Sequence, residues 1–368
     1  MSKNSKDIVL TSALRTSVGK FGGIHKKLQA HELGSIVIKG ILKKTNVDPL
    51  EIDEVILGQV LPSLGGQNPA RQALIKSGIP KEKTAFNINQ VCGSGLRAIV
   101  LGYQSIGMGS SKFVIAGGQE SMSNSDEKEM LTNGLIDAFN NYHMGVTAEN
   151  VAEKFNISRD EQDHFALDSQ SKTENSIKSK KFLSEIIDNN QDEHPRFNLN
   201  IENLKKLKPA FKKDGTVTAG NSSGINDGAA GVLITTRDLA EKKNLDIQAK
   251  IVSWATSGVD PTLMGLGPIP SSTKALEIAG WSINELDLIE CNEAFAAQTL
   301  AVVKELKVPK EKLNVNGGAI AIGHPIGASG ARLIVTLIHE MIKRDNKKGL
   351  VTLCIGGGMG ISMCIARD

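Results

Sequence analysis

Two glycine-rich stretches, far apart in the chain, each carry a side chain that can act as a nucleophile. The first is Cys92-Gly-Ser-Gly95, and the second begins at Cys354, which is followed after one residue by three glycines. Cys92 stands where a helical pattern begins, and the positive end of a helix dipole lowers the pKa of a thiol. Gly93 and Gly95 would leave room for an acyl group. We interpret Cys92 as a nucleophile, although a buried structural cysteine in a tight turn would show the same local pattern.

A histidine, the second cysteine and an asparagine complete the reactive set. His324 precedes another turn of small residues and can act as a base toward a thiol or donate a hydrogen bond to a thioester oxygen, with a packed histidine as the alternative. Cys354 ends an apolar strand, where a β-bulge is the alternative. Asn292 follows another strand and could hold a water or an oxyanion, or cap a helix. Two thiols and an imidazole in loops of small residues suit carbon–carbon chemistry on a thioester.

The composition excludes several classes of protein. The 368 residues carry a net charge of +3 and are 40% hydrophobic and 23% charged, as in soluble globular proteins. No basic block predicts a nucleic-acid partner, and no apolar run reaches the ~18 residues of a membrane span. The four cysteines form no zinc or disulfide pattern. The polar N-terminus resembles no targeting segment, so we expect a cytoplasmic protein. The glycine motifs do not fit a dinucleotide fingerprint, and we expect no cofactor and no metal.

Short internal repeats indicate two homologous halves. Residues 51–56 resemble residues 285–290 at an offset of 234, and residues 94–99 resemble residues 329–334 at an offset of 235. Apolar runs alternate with helical patterns in both halves, which is typical of α/β layers. The predicted strands are 7–13, 54–59, 113–116, 250–255, 286–291, 349–355 and 361–365, and the predicted helices are 31–45, 92–108, 273–279 and 328–344.

A polar, less regular stretch separates the two halves. It predicts one helix at 147–156 and another from Ser158, where Ser158 and Glu161 have the spacing of a capping box. An insert of this size on a duplicated core usually covers or shapes a site. We therefore predict three units: an N-terminal core half of residues 1–121 with 224–247, an inserted loop domain of 122–223, and a C-terminal core half of 248–368.

Nine short motifs, taken together, resemble those of the thiolases, specifically the short-chain acetyl-CoA acetyltransferases. The resemblance covers nearly the whole chain, and it is the order and spacing of the motifs that make it specific. The motifs are Arg15-Thr with Phe21-Gly-Gly23, Gln67-Asn-Pro-Ala-Arg71, Val91-Cys-Gly-Ser-Gly95, Ala116-Gly-Gly118, Tyr142-His-Met-Gly145, Gly220-Asn-Ser-Ser-Gly224, Asn292-Glu-Ala-Phe295, Gly323-His-Pro-Ile-Gly-Ala-Ser-Gly330 and Cys354-Ile-Gly-Gly-Gly358.

The resemblance implies an α/β fold with a duplicated thiolase-type core and a function in acyl transfer. The core would hold two mixed five-stranded sheets with helices, layered αβαβα, and the inserted loop domain would bind coenzyme A. The expected reaction is the reversible condensation of two acetyl-CoA to acetoacetyl-CoA and CoA, by a ping-pong acyl-cysteine mechanism in a homodimer or homotetramer. The alternatives are a 3-ketoacyl-CoA thiolase of broader chain length, a ketoacyl synthase-like enzyme with a malonyl donor, and a non-catalytic acyl-CoA carrier.

The resemblance also implies roles for individual residues. Cys92 would be the acylated nucleophile, His324 would activate it, and Cys354 would take or return the α-proton of the second acetyl group. Asn292 would fix a water in one oxyanion hole, and the backbone N–H groups of Cys92 and Gly356 would form the other. Six further residues match positions around the substrate: His143, Ser223 and Arg196 along coenzyme A, Phe211 beside the pantetheine path, and Met144 and Phe295 in the acyl pocket.

Two departures from the family pattern lie in the insert. The chain is roughly 16 residues shorter than the pattern between Ser123 and Leu131, and about 11 residues shorter near residues 189–192. The first departure falls where relatives carry a loop that joins dimers into tetramers. The shorter loop therefore puts the tetramer in question.

Overall fold

The fold is described from a computed structural model that covers residues 4–62 and 64–368. Residues 1–3, with which the first predicted unit begins, and Ser63 lie outside the described residues. Within the described ranges, none of the helices combines the length and the apolar composition needed to cross a lipid bilayer.

The first half alternates strands and helices as predicted, with four elements that the sequence patterns did not reveal. The missed elements are two short strands, a long strand of small residues and a two-turn helix, which are β2, β4, β6 and α2 in the following list. The strands are β1 (Ile8–Arg15), β2 (Gly19–Lys20), β3 (Glu54–Gly58), β4 (Thr84–Ile88), β5 (Val114–Ser121) and β6 (Asn226–Thr236), and the helices are α1 (Ala30–Thr45), α2 (Pro69–Lys76) and α3 (Ser94–Gly107).

The insert and the second half complete the chain. The insert is mostly helical, with α4 (Glu127–Glu129), a π-helix (Met130–Leu135), α5 (Met144–Phe155), α6 (Arg159–Lys178) and α7 (Ile201–Lys205), and α8 (Arg237–Lys242) follows β6. The second half contains β7 (Ala249–Gly258), α9 (Pro268–Ala279), β8 (Leu288–Cys291), α10 (Ala296–Leu306), α11 (Ala319–Ile322), α12 (Ser329–Arg344), β9 (Lys348–Ile355) and β10 (Met359–Ala366).

The sheet topology repeats between the halves, which confirms the duplicated α/β core. The strand order is β4-β3-β5-β6-β1-β7-β10-β9-β8. In the first half β3 runs parallel to β4 and β5, whereas β6 runs antiparallel to β5 and β1. In the second half β8 runs parallel to β9, and β10 runs antiparallel to β9 and β7. The halves meet where β1 pairs with β7 at only two positions, Val9 with Lys250 and Leu10 with Ala249.

The second half differs from the expected five strands at the position that corresponds to β4. Among the described residues this position holds a single parallel bridge between Ile289 and Leu313. The Asn314 side chain accepts a hydrogen bond from the backbone N–H of Cys291 and donates one to its carbonyl, both at 2.9 Å. Because one side chain occupies both backbone groups of Cys291, the ladder does not continue beyond the bridge.

Helices α3 and α12 lie between the two sheets and form the middle layer. They contact strands of both halves, while α1 covers the outer face of the first sheet and α9 that of the second. Glycines let the two helices meet at their starts: a Cβ on Gly95 would lie 2.9 Å from the Gly327 carbonyl oxygen, and one on Gly330 would lie 2.5 Å from the Leu96 nitrogen. The expectation that Gly93 and Gly95 leave room for an acyl group was therefore wrong. Backbone at the start of α12 surrounds Gly95, and a Cβ on Gly93 would lie 2.4 Å from the side chain of Ile355.

The insert is attached to the first half by buried ion pairs. Arg15 at the end of β1 donates to Asp192 at 2.7 and 2.9 Å and to Glu185 at 2.7 Å, and all three side chains are buried. The predicted capping box at the start of α6 is confirmed, since the Glu161 N–H donates to Ser158 Oγ and the Ser158 N–H donates to Glu161 Oε2. The ion pairs of Arg15 therefore fix the C-terminal part of the insert to the end of β1.

Candidate active site

Cys92 lies in the turn between β4 and α3, as its sequence position predicts. The preceding residue, Val91, has a φ of 46°, an unusual conformation for a β-branched side chain and one that is found where a functional residue must be presented. The expectation of a lowered pKa was wrong. Burial raises the pKa of the Cys92 thiol to about 11, outweighing the backbone N–H groups of Gly356 and Cys92, which lower it. Cys92 therefore needs a base to become a thiolate at neutral pH.

His324 has hydrogen bonds that determine which ring nitrogen carries the proton. The Ser329 hydroxyl donates to the Pro325 carbonyl oxygen at 2.9 Å, so its oxygen accepts from Nδ1 of His324, 2.5 Å away. The other nitrogen, Nε2, then keeps its lone pair and lies 3.4 Å from the amide nitrogen of Asn292. Burial, reinforced by the charge of Arg332, lowers the pKa of His324 to about 3. His324 is thus a neutral imidazole with Nε2 as its basic atom.

Cys354 and Gly356 lie at the end of β9, beside Cys92. Cys354 is buried, and its pKa is raised well above the ordinary value, first by burial and then by the nearby charge of Cys92. The backbone N–H of Gly356 lies near the sulfur of Cys92 and lowers the pKa of its thiol. The other two cysteines, Cys291 and Cys364, are buried in the apolar core of the second half, as predicted.

Asn292 stands one residue beyond β8 with its side chain only partly engaged. Its backbone N–H donates to the Thr352 carbonyl oxygen at 3.0 Å. The side-chain nitrogen is the group 3.4 Å from His324, while Oδ1 is buried and has no hydrogen-bond partner among the described residues. Buried amide oxygens are normally satisfied, so Oδ1 is available to a water or to a substrate group.

A cavity of about 310 Å³ collects ten of the eleven predicted site residues. Asn292 does not line the cavity, but its side-chain nitrogen lies 3.4 Å from Nε2 of His324, which does. Most of the lining is apolar side chain, which suits a thioester rather than a free sugar or a polyanion. The predicted residues in the lining are Cys92, His324, Cys354, Gly356, His143, Met144, Arg196, Phe211, Ser223 and Phe295.

The insert supplies an aromatic wall of this cavity. His143 caps α5, with its Nδ1 accepting from the Gly145 N–H at 3.0 Å, so its Nε2 carries the proton and can donate. Its ring stacks on Phe211 with centroids 4.6 Å apart, and Phe211 meets Phe295 edge-on at 6.0 Å. Met144 packs in the same cluster against Cys354. The stacked rings hold the His143 donor in one orientation.

Two polar residues lie farther along the cavity. Ser223 is held against the second half, since its N–H donates to the Ala294 carbonyl oxygen at 3.0 Å. Arg196 is exposed, and its backbone N–H donates to Gln170 of α6 at 2.9 Å. Arg196 thereby places a cation where the cavity opens to solvent.

Three residues important to the cavity were not predicted. Met264 lies in a short 3₁₀ helix after β7 and packs with Met144 and Cys354, and Leu135 ends the π-helix of the insert. Neither belongs to a motif with recognisable chemistry, so no local signal could have revealed them. Ser329, the partner of His324, lies inside the Gly323–Gly330 motif, and its spacing from His324 was the available signal.

Comparison with known proteins identifies the family. Residues 8–238 match the model of the thiolase N-terminal domain and residues 245–367 that of the thiolase C-terminal domain. The chain belongs to the thiolase family.

Among its relatives, the chain is 53% identical to an acetyl-CoA acetyltransferase of Rhizobium meliloti over 391 residues, which covers 99% of this chain and 100% of the relative. It is also 53% identical to an acetyl-CoA acetyltransferase of Paracoccus denitrificans over 386 residues, covering 98% and 99% of the two chains. Both alignments are longer than the chain of 368 residues, so these relatives carry residues that it lacks.

Solved structures give the same picture. The crystal structure of the Bacillus anthracis acetyl-CoA acetyltransferase matches with a TM-score of 0.95 and 40% identity, covering 99% of this chain and 100% of the other. The structure of human mitochondrial 3-ketoacyl-CoA thiolase in complex with CoA matches with a TM-score of 0.95 and 41% identity, covering 99% and 98% of the two chains. The similarity therefore extends over both halves and the insert.

Proposed function

We propose that the protein is an acetyl-CoA C-acetyltransferase, which condenses two acetyl-CoA reversibly to acetoacetyl-CoA and CoA. The observation that carries this proposal is the convergence of Cys92, His324 and Cys354 on one apolar cavity, although more than half of the chain separates Cys92 from the other two. The names of the relatives in Rhizobium meliloti and Paracoccus denitrificans support acetyl-CoA as the substrate.

The first half-reaction transfers an acetyl group to Cys92. Nε2 of His324 takes the thiol proton, and the thiolate attacks the thioester carbonyl carbon of acetyl-CoA. The carbon–sulfur bond to CoA breaks, and the CoA thiolate leaves with the proton that His324 returns. The raised pKa of Cys92 and the neutral state of His324 support this order, because the thiol keeps its proton until the base removes it.

The second half-reaction forms the carbon–carbon bond. Cys354 gives its thiol proton to Nε2 of His324. As a thiolate it then takes a proton from the α-carbon of a second acetyl-CoA, and the resulting enolate carbon attacks the acetyl group on Cys92. The bond to the Cys92 sulfur breaks, which releases acetoacetyl-CoA, and the sulfur takes back a proton from Nε2 of His324. Since burial raises the pKa of Cys354, its thiolate is a strong base that matches the weak acidity of a thioester α-carbon.

Negative charge on the two thioester oxygens needs separate donors. The N–H groups of Cys92 and Gly356 would hold the oxygen of the acyl-cysteine, and Gly356 already directs its N–H at the Cys92 sulfur. A water bound to the unpartnered Oδ1 of Asn292, together with the proton that Nε2 of His324 holds in this half-reaction, would hold the oxygen of the second acetyl-CoA. One such donor typically contributes ~3 kcal/mol of transition-state stabilisation. We propose that no metal and no redox cofactor takes part.

The remaining cavity residues would bind the substrate. The His143 Nε2–H and Ser223 would contact the pantetheine and Arg196 the nucleotide end of coenzyme A, with Phe211 beside the pantetheine path. Met144 and Phe295 would bound the acyl pocket together with Met264. Packed side chains around Cys354 support a short acyl unit rather than the longer chains of the alternative 3-ketoacyl-CoA thiolase.

Cysteine substitutions test the two half-reactions separately. We expect Cys92→Ser to lose acetylation by acetyl-CoA as well as turnover, and Cys354→Ser to retain acetylation of Cys92 in a mass-spectrometric assay while losing condensation. Cys364→Ala, which removes a thiol from the core, serves as the control and keeps both steps. Equal loss of acetylation in both active-site variants would contradict the assigned roles.

A substrate comparison tests the acyl specificity. We expect kcat/KM for cleavage of acetoacetyl-CoA to exceed that for longer 3-ketoacyl-CoA thioesters, and comparable values would favour the broader-chain alternative. Product formation only from malonyl-CoA would favour a ketoacyl synthase-like enzyme instead. A Cys92 that neither acetyl-CoA nor iodoacetamide modifies would favour a non-catalytic carrier.

We also propose that the protein is a homo-oligomer and that it is located in the cytoplasm. Strand β4 lies at the edge of the sheet, and Phe86 in it is partly exposed, which supports pairing with a second copy. The chain is shorter than its relatives, and the resemblance to the family pattern places the difference in the insert, which supports a dimer over a tetramer. All four cysteines are free thiols, in keeping with a reducing compartment. Sedimentation velocity and cell fractionation test these two proposals.

A further inference from the structure

Glu120 is a buried carboxylate beside the site that the reaction above does not use. It lies in β5, has no exposed surface, and forms no ion pair with any cationic side chain in the described ranges. Its Oε2 instead accepts from the backbone N–H groups of Val60 at 3.0 Å and Gly327 at 2.8 Å, and its Oε1 accepts from that of Leu61 at 3.2 Å. A carboxylate with three backbone donors is a structural anchor of both segments that supply them.

The two anchored segments come from different halves and both border Cys92. Val60 and Leu61 follow β3, and their side chains pack with Ile326 against Cys92. Gly327 is three residues beyond His324, and a Cβ on it would lie 2.6 Å from the Glu120 Oε2. A single carboxylate therefore fixes the wall of the nucleophile and the loop of the base relative to each other.

We propose that Glu120, as an anion, is a positioning residue for acyl transfer, and that its protonation releases the His324 loop from the Cys92 wall. The proposal rests on the function proposed above. A protonated carboxyl has lost the charge that strengthens its three bonds to backbone N–H groups, and its hydrogen occupies one lone pair that the anion offers as an acceptor. The nucleophile and the base lose their fixed geometry, and misplacement by about 1 Å can cost ~10²-fold in rate.

Glu120 gains and loses its proton near neutral pH, so its effect on the His324 loop operates under ordinary conditions. Burial raises the pKa of Glu120 to about 7 against the three N–H bonds, and the charge of Asp227 on β6 adds to the rise. The other titratable group facing it is Cys92, whose own pKa the Glu120 charge helps to raise. Cys92 and His324 have pKa values of about 11 and about 3, so neither titrates near pH 7. Activity should fall as pH drops through about 7, where the Glu120 anion is lost.

The pH dependence of kcat/KM for acetoacetyl-CoA tests the proposal, because in a ping-pong enzyme this parameter reports transfer to Cys92 alone. For the wild type we expect a rise of about tenfold from pH 6 to pH 8, as a single group with pKa near 7 requires. Glu120→Gln carries a permanent N–H₂ and mimics the protonated form, so its values should be flat and roughly equal to the low-pH limit of the wild type. Glu340→Gln removes another buried carboxylate, which bonds to Asn316 away from the cavity, and should keep the wild-type slope.

Amide hydrogen exchange gives a readout that does not depend on turnover. The N–H groups of Val60, Leu61 and Gly327 should exchange faster in Glu120→Gln than in Glu340→Gln, and unchanged protection would overturn the proposal even in a protein without thiolase activity. A flat wild-type profile, or a Glu120→Gln variant with lower activity but the wild-type slope, would also overturn it. If Glu120→Gln does not fold, the wild-type slope decides alone. Absence of Cys92 acetylation in the wild type would refute the proposed function instead.

Discussion

Replacement of Ser329 by alanine tests the role of His324 without touching a reacting group. The Ser329 oxygen accepts from Nδ1 of His324 at 2.5 Å and fixes the tautomer in which Nε2 is the base. When Nε2 takes a proton the ring becomes cationic, and a hydrogen bond to a charged group contributes ~1.5–3 kcal/mol. At about 1.4 kcal/mol per factor of ten, we expect kcat to fall roughly 10- to 150-fold. KM for acetoacetyl-CoA should change little, because Ser329 does not line the cavity.

The assay is steady-state cleavage of acetoacetyl-CoA, with urea denaturation to measure the free energy of unfolding. Ser253→Ala is the matched control, since Ser253 is buried and donates to the Ala275 carbonyl oxygen at 2.6 Å in the outer layer of the second half. It should lose a similar amount of stability, about 1 kcal/mol, and keep wild-type kcat. A Ser329→Ala enzyme with kcat within threefold of the wild type would refute the tautomer argument.

Three further predictions concern the pocket, the nucleophile and the attachment of the insert. Met264→Ala should raise kcat/KM for 3-ketohexanoyl-CoA relative to acetoacetyl-CoA about tenfold, at ~0.8 kcal/mol for each accommodated CH₂; an unchanged ratio would remove Met264 from the acyl pocket. Alkylation of Cys92 by iodoacetamide should accelerate about tenfold per pH unit from pH 7 to pH 9.5, because the raised pKa of about 11 keeps the thiol protonated below it; a plateau before pH 8 would contradict this. Asp192→Asn leaves Arg15 partly unpaired and should lower the free energy of unfolding by ~3–5 kcal/mol in urea; a loss below 1 kcal/mol would refute the anchoring role.

The local patterns predicted the architecture and the reactive residues for a physical reason. Apolar alternation reports directly on burial in sheets and helices, and the offset near 234 is visible because both halves keep the same element order. Cys92, His324 and Cys354 stand out because reactive side chains are rare in turns of small residues. Strand β6 was missed because half of it, Asp227 to Gly231, consists of small residues with low strand propensity.

Local sequence patterns could not predict contacts between distant segments of the chain. The Glu120 bond to Gly327 joins positions 207 residues apart, and nothing at either position signals the other. The pKa of Cys92 depends on distant contacts in the same way. Its position at the start of a helix predicts a lowered pKa, but burial by segments from both halves raises it. Gly95 was read as space for a substrate because its neighbour across the junction, α12, could not be seen in the sequence.

The two serines at the starts of α3 and α12 show what duplication allowed. Each closes a short loop in the same way, Ser94 by donating to the Val91 carbonyl and Ser329 by donating to that of Pro325. In one copy the loop presents a thiol, and in the other an imidazole. Two repeats within one chain can differ in this manner, whereas a substitution in a symmetric homodimer changes both subunits at once. The two halves therefore keep the same scaffold but supply different reactive groups, a thiol from the first and an imidazole with a second thiol from the second.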